Sequence, residues 1–249
     1  MKKRMTQLSL AACLVIASSV ICLAFIKNEP AAEDERECTL IVGKTDVPAG
    51  MVALEIDLPP FVFEGTRKNL EGIENLEEPR AKGQTRPTML VPAGTMNVAL
   101  GKTVTSTSYT PIVGVLADIT DGEKFGDGYV ELDPFEQSIT IDLGASYEIY
   151  AIALWHYHKY KCVYFDMVVQ TADDPDFIMN VNTLFNNDID NTHGLGIGKD
   201  KNYVESYEGK LIDAKGTAAR YVRFHSNTNT LNDFNHYIEV EVYGKQGGQ

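Results

Sequence analysis

Positive charge is the first thing this sequence lacks: 22 Lys and Arg stand against 35 Asp and Glu, giving a formal net charge of −13 over 249 residues. Binding a phosphate backbone needs clustered cations that displace counterions, so no nucleic-acid partner is expected. Cysteine is scarce as well, at four residues, and Cys13 and Cys22 fall within an apolar N-terminal stretch. The remaining pair, Cys38 and Cys162, leaves two alternatives, a single bridge or two unpaired thiols, because sequence alone cannot place their Cα atoms within disulfide range. Catalytic signatures are missing too. There is no Gly-x-Ser-x-Gly elbow and no His-Glu-x-x-His, and "GLGIGKD" is no phosphate loop, since His193 stands where the first glycine belongs and Asp200 where Ser or Thr is required.

What is present begins with a targeting pattern. "MKKR" precedes Leu8 to Ile26, which carries no charge until Lys27. A cationic start followed by an apolar run is a secretory signal or a signal anchor, long enough as a helix to span a bilayer. Residues 1–26 are read as that segment, and the rest of the chain as exported, touching a membrane only through it. Residues 27–96 form an extended arm holding seven of the ten prolines. Within it "MVALEIDL" alternates as one strand, "PPFVFEG" offers another at an edge, and "NLEGIENLEEPRAKGQTRP" reads as a linker in which a short helical turn is an alternative.

From Asn97 the text becomes all-β. "SITIDLG" alternates, with Ile139, Ile141 and Leu143 on one face and Thr140 and Asp142 on the other. "EIYAIALWHYH" is nearly continuous in apolar residues, as suits a central strand covered on both faces. "VYFDMVVQTA", "RYVRFHS" and "YIEVEVYG" supply further strands between polar turns, and no comparable helical period of 3.6 appears. The pattern indicates a β-sandwich or jelly roll over residues 97–244, with 245–249 a short tail.

Five fragments sharpen this. "NVALGKTVTSTS", "ITDGE", "ITIDLG", "ARYVRF" and "IEVEVYG" occur in the order found in the coagulation-factor V/VIII type C, or discoidin, domain, which the chain resembles as a divergent bacterial member. That family is closely similar to the family 32 carbohydrate-binding modules. The resemblance implies a galactose-binding-like jelly roll of about eight antiparallel strands and a non-catalytic module that binds its ligand through loops at one end. It also implies a structural calcium held by the Asp of the Asp-Gly turn and a Glu near the last strand, which by position are Asp121 and Glu239. The family's Thr-x-Trp after that turn is absent, replaced by "KFGDGYVELD".

The residues themselves offer several sites. Asp188 and Asp190 in "FNNDIDN" supply oxygens for a second calcium, or build a turn by bonding their own backbone. "HSNTNTLNDFNHY" gathers His225, Asn227, Asn229, Asn232, Asn235 and His236 between the last two strands. Amides that both donate and accept suit sugar hydroxyls, and a solvated turn is the alternative. In "LWHYHK", His156 and His158 share one side of a strand beside Trp155. They are histidines hydrogen-bonded at a strand end, part of a ligand wall, or a metal pair needing His225 or His236 as third ligand. The function expected is an exported binding module for a carbohydrate or other cell-envelope ligand. The alternatives are a metal-dependent enzyme centred on His156 and His158, and an adhesive envelope protein whose arm docks a protein partner.

Overall fold

A computed structural model describes residues 47–60, 70, 72–78, 80, 84–159 and 161–247. The targeting segment 1–26, Cys38 and most of "PPFVFEG" lie outside the described residues. The elements are β1 (Met51–Ala53), β2 (Leu90–Pro92), β3 (Met96–Asn97), β4 (Thr103–Ser106), a 3-10 turn (Leu116–Thr120), β5 (Val130–Leu132), β6 (Gln137–His156), β7 (Val168–Ala172), β8 (Asn182–Asn186), β9 (Lys210–Ser226) and β10 (Asn235–Lys245). All ladders are antiparallel. β1 pairs with β2, and the main sheet runs β3-β10-β6-β9-β7-β8, with β4 on β6 and β5 on β10.

Two sequence stretches merge into one strand. "SITIDLG" and "EIYAIALW" with His156 make the two halves of β6, which ends there and leaves Tyr157 and His158 outside the strand, so the two histidines do not share a strand face. The ladder to β9 is interrupted between Asp142 and Tyr147, where Gly144 takes φ +80°. A left-handed glycine at this corner lets the strand turn and serve both layers of a sandwich. The first half pairs with β4 and the end of β9, the second with β10 and the start of β9. Ile139, Ile141 and Leu143 from one half and Ile149, Ile152 and Leu154 from the other fill a single core with Val222, Phe224, Val240 and Val242. The all-β jelly-roll sandwich is therefore the fold, as the alternation and the resemblance imply.

The other face of the second half is covered as well. Ala151, Ala153 and Trp155 join Ile238 and Tyr243 in a second cluster, against which Leu54, Ile56 and Met89 from the arm pack. Arg80 and Arg86 reach Glu208 from the same arm, Arg80 through an ion pair of 2.6 Å and Arg86 through its backbone amide and a guanidinium bond to the Glu208 carbonyl. "MVALEIDL" is a strand only over its first three residues; beyond them the Leu54 amide still donates to the Met89 carbonyl. No helix forms in the described part of "NLEGIENLEEPRAKGQTRP", where Leu76 bridges to Asn202 instead. In "VYFDMVVQTA" the strand starts only at Val168, because Asp166 sits at φ +54° and breaks the extended run.

Because β6 and β9 double back, their ends meet. Gln137 pairs with Ser226, His156 with Tyr237, and the Ser226 and Tyr237 hydroxyls lie 3.0 Å apart. The loops around 107–113, 133–136, 157–167 and 227–234 therefore gather at one end, cross-linked by backbone bonds such as Phe135 to Asp233 and Thr230 to Val163.

Candidate functional site

The strand residues of "LWHYHK", Leu154 to His156, lie beneath this loop end, and Tyr157 to Lys159 begin one of its loops. Trp155 is fully buried, donates its indole N–H to the Tyr207 carbonyl at 2.9 Å, and has the Lys124 ammonium 4.8 Å from its ring centre. His156 is equally buried: its Nδ1 lies 2.6 Å from Glu205 Oε1 and its ring stacks on Tyr164 at 4.2 Å. His158 turns its Nδ1 to the His156 carbonyl at 3.3 Å, and burial lowers its pKa. His236 Nε2–H donates to Glu131, which leaves Nδ1 to accept the Tyr164 hydroxyl at 2.8 Å. His225 is half-buried near His193, and burial first, then the His193 and Arg223 charges, push its pKa down to about 4. Among the described residues these histidines form no group of three converging on one point. The histidine-centred metal site has no assembled ligand set.

The asparagines build the loop. Asn229 donates to Asn232 Oδ1 and the Phe234 carbonyl and accepts from Leu231 and Asn232, while Asn232 Oδ1 also accepts the Phe234 amide. Asn227 bonds Asp166, and buried Asn235 donates to the Phe135 carbonyl at 2.7 Å. Of the expected ligand residues, only Asn232 is exposed. Its neighbours spend their amides on local turns.

Asp188 and Asp190 do converge, with Asp166 as a third member, their oxygens lying within 4.8 Å of one another. Asp188 is buried and accepts the Thr192 and His193 amides, and Asp190 accepts the Thr192 hydroxyl, so the turn-building role is occupied. Burial raises the pKa of Asp166, and the Thr192 hydroxyl lowers that of Asp190.

Asp121 and Glu239 are each turned to a backbone N–H. Asp121 is exposed and gives Oδ1 to the Glu123 amide. Glu239 is buried with both oxygens 3.2 Å from the Gly122 amide nitrogen, and burial pushes its pKa up to about 8. A calcium ion needs six to eight oxygen donors; here Asp121 Oδ1 and the Glu239 carboxylate each face a backbone N–H, and among the described residues no third carboxylate, His or Cys converges with them, so the residues present fit the ion poorly.

Sequence reasoning missed the rim itself. Tyr109 is 101% exposed and Phe135 59% exposed. Their loops are tied together by the Ser108 hydroxyl, which donates to Asp133 at 2.8 Å. Phe135 sits at φ +67°, a conformation costly for a residue with a side chain, and is held there by its amide on Asp233 and its carbonyl on Asn235. Leu231 is exposed on the adjoining loop. No periodicity marks these residues, since "DPFEQ" reads as an ordinary turn.

The chain is similar to carbohydrate-binding modules of known structure. A chitosan-binding module from a Paenibacillus sp. IK-5 chitosanase/glucanase matches at 21% identity and TM-score 0.44, covering 60% of this chain and 99% of that one. A family 32 module of a Clostridium perfringens family 89 protein, solved with GalNAc-β-1,3-galactose, matches at 18% identity and TM-score 0.42, covering 60% and 99%. The family 32 module of AlyQ, solved with 4,5-unsaturated mannuronic acid, matches at 18% and 0.41, covering 56% and 92%. No family model and no curated protein matches the chain.

Proposed function

We propose that this protein is an exported, non-catalytic module that binds glycans of the cell envelope or surroundings through the loop end of its sandwich, with Phe135 and Tyr109 as the apolar platform. The observation that carries this reading is the clamped backbone of Phe135. A strained backbone held from both sides around an exposed aromatic ring is a preorganised surface, and preorganisation lowers the entropy lost on binding. An aromatic ring offers the apolar face of a sugar a flat partner, while Asn232, Asp233 and Glu136 beside it present groups for hydroxyls. The resemblance of the five sequence fragments to a family that binds through loops at one end of the sandwich supports a site built from loops.

A glycan array with the full chain tests it. Binding of at least one glycan class is expected, with Phe135→Ala and Tyr109→Ala each weakening it about tenfold or more, as truncation of a central aromatic anchor does. Undiminished binding in both variants would move the site elsewhere. Export is checked separately, by fractionating cells that express the full chain.

A further inference from the structure

Lys124 is an unusual residue for its place. It is 4% exposed, in a loop, and its ammonium is paired with Glu241, whose other oxygen accepts the Tyr243 hydroxyl at 2.6 Å. The ammonium also lies 4.8 Å from the centre of the Trp155 ring. Burying an ammonium is expensive unless it is paired and hydrogen-bonded, so a lysine is kept inside only where a charge is wanted. The charge wanted here is plain from the surroundings. Glu239 and Glu241 follow each other at alternate positions of β10, both buried, and Asp121 stands at the start of the same loop as Lys124.

This corner is also where the sequence departs from the family it resembles, with Lys124 and Phe125 following the Asp-Gly turn in place of Thr-x-Trp. We infer that the Lys124 ammonium takes over the structural work of the divalent cation that the resemblance implies at Asp121 and Glu239, so that the sandwich closes without calcium. The loop of residues 121–128 is fastened to β10 by two protein donors, the Gly122 amide on Glu239 and the ammonium on Glu241. Fastening that loop to that strand is what a cation bridging Asp121 and Glu239 would do. Of the carboxylates a calcium ion would recruit, Asp121 already accepts the Glu123 amide through Oδ1 and Glu239 the Gly122 amide.

Thermal unfolding of the purified full chain, in chelator and in millimolar calcium, tests the inference. Equal midpoints are expected. A resident calcium at about a hundredfold excess over its dissociation constant would raise the midpoint by roughly 5–10 °C. A rise of that size that disappears in Asp121→Ala overturns the inference. A rise that survives in Asp121→Ala arises elsewhere, at the Asp166 group for example, and upholds it. The second arm uses Lys124→Met, expected to lower the midpoint in both buffers, with Glu241→Gln added to the same chain recovering part of the loss. A Lys124→Met protein that melts with the wild type would overturn it, and the wild-type comparison holds even if that variant does not fold.

Discussion

Asn235 donates its side-chain amide to the backbone carbonyl of Phe135 at 2.7 Å, across the gap between the loop before β6 and the first residue of β10. A fully buried amide thus fixes the backbone of an exposed ring. Removing it in Asn235→Ala orphans a carbonyl and frees the loop. Stability should fall by about 1–3 kcal/mol in urea unfolding, and glycan affinity should fall with it. Phe135→Gly separates the two effects: it relieves the left-handed strain, worth roughly 1 kcal/mol, so stability should hold or rise while glycan binding is lost. A glycine variant that still binds would remove Phe135 from the site.

His225 predicts a pH dependence whose direction follows from its surroundings. Burial, then His193 and Arg223, lower its folded-state pKa to about 4 from an ordinary 6.5. The unfolded chain therefore takes up the proton first as pH falls. The contribution is complete above about pH 6.5 and is lost between there and pH 4, up to about 3 kcal/mol. Urea midpoints measured across that window should drop more steeply for the wild type than for His225→Gln. Parallel curves would show that another group controls acid unfolding.

Asp188 anchors the long loop between β8 and β9. Buried, it accepts the Thr192 and His193 amides at 2.8 and 3.0 Å. Asp188→Ala should cost about 1–3 kcal/mol and expose those two amides to hydrogen exchange, with little change at residues in the core. Unchanged protection of both amides would show that the loop stands without it.

Trp155, the only tryptophan, reports on where a ligand goes. It is fully buried with its N–H bonded to Tyr207. Its emission should be blue-shifted, resistant to soluble quenchers, and unmoved by a glycan bound at the rim. A ligand-induced shift would draw the binding site inward toward Trp155.

The period-two alternation of "SITIDLG" and the unbroken apolar run of "EIYAIALWHYH" made the strands and their burial legible. Two covered faces need apolar residues at consecutive positions, and Ile152 and Ala153 fill opposite sides. That these two stretches are one strand was not legible, because it depends on Gly144 turning a corner within a ladder rather than ending it. The candidate site was read less well. Histidines and asparagines stand out in a sequence by their chemistry, yet here that chemistry serves the interior and the turns. Phe135 is inconspicuous as text, and its role comes from a positive φ imposed by Asp233 and Asn235, residues roughly a hundred positions away. Glu205, the partner of His156, lies in a stretch with no pattern at all.

The packing of Leu54, Ile56 and Met89 over the outer cluster bears on where this protein can be cut. Composition changes at Asn97, and a fragment beginning there looks like a whole sandwich. Such a fragment would strip Leu54, Ile56 and Met89 from the cluster of Ala151, Ala153, Trp155 and Ile238, leaving Tyr129, Tyr157 and Leu211 to cover it, and would strand Glu208 without Arg80 and Arg86. A fragment that keeps the roof over Trp155 therefore begins no later than the strand that starts at Met51.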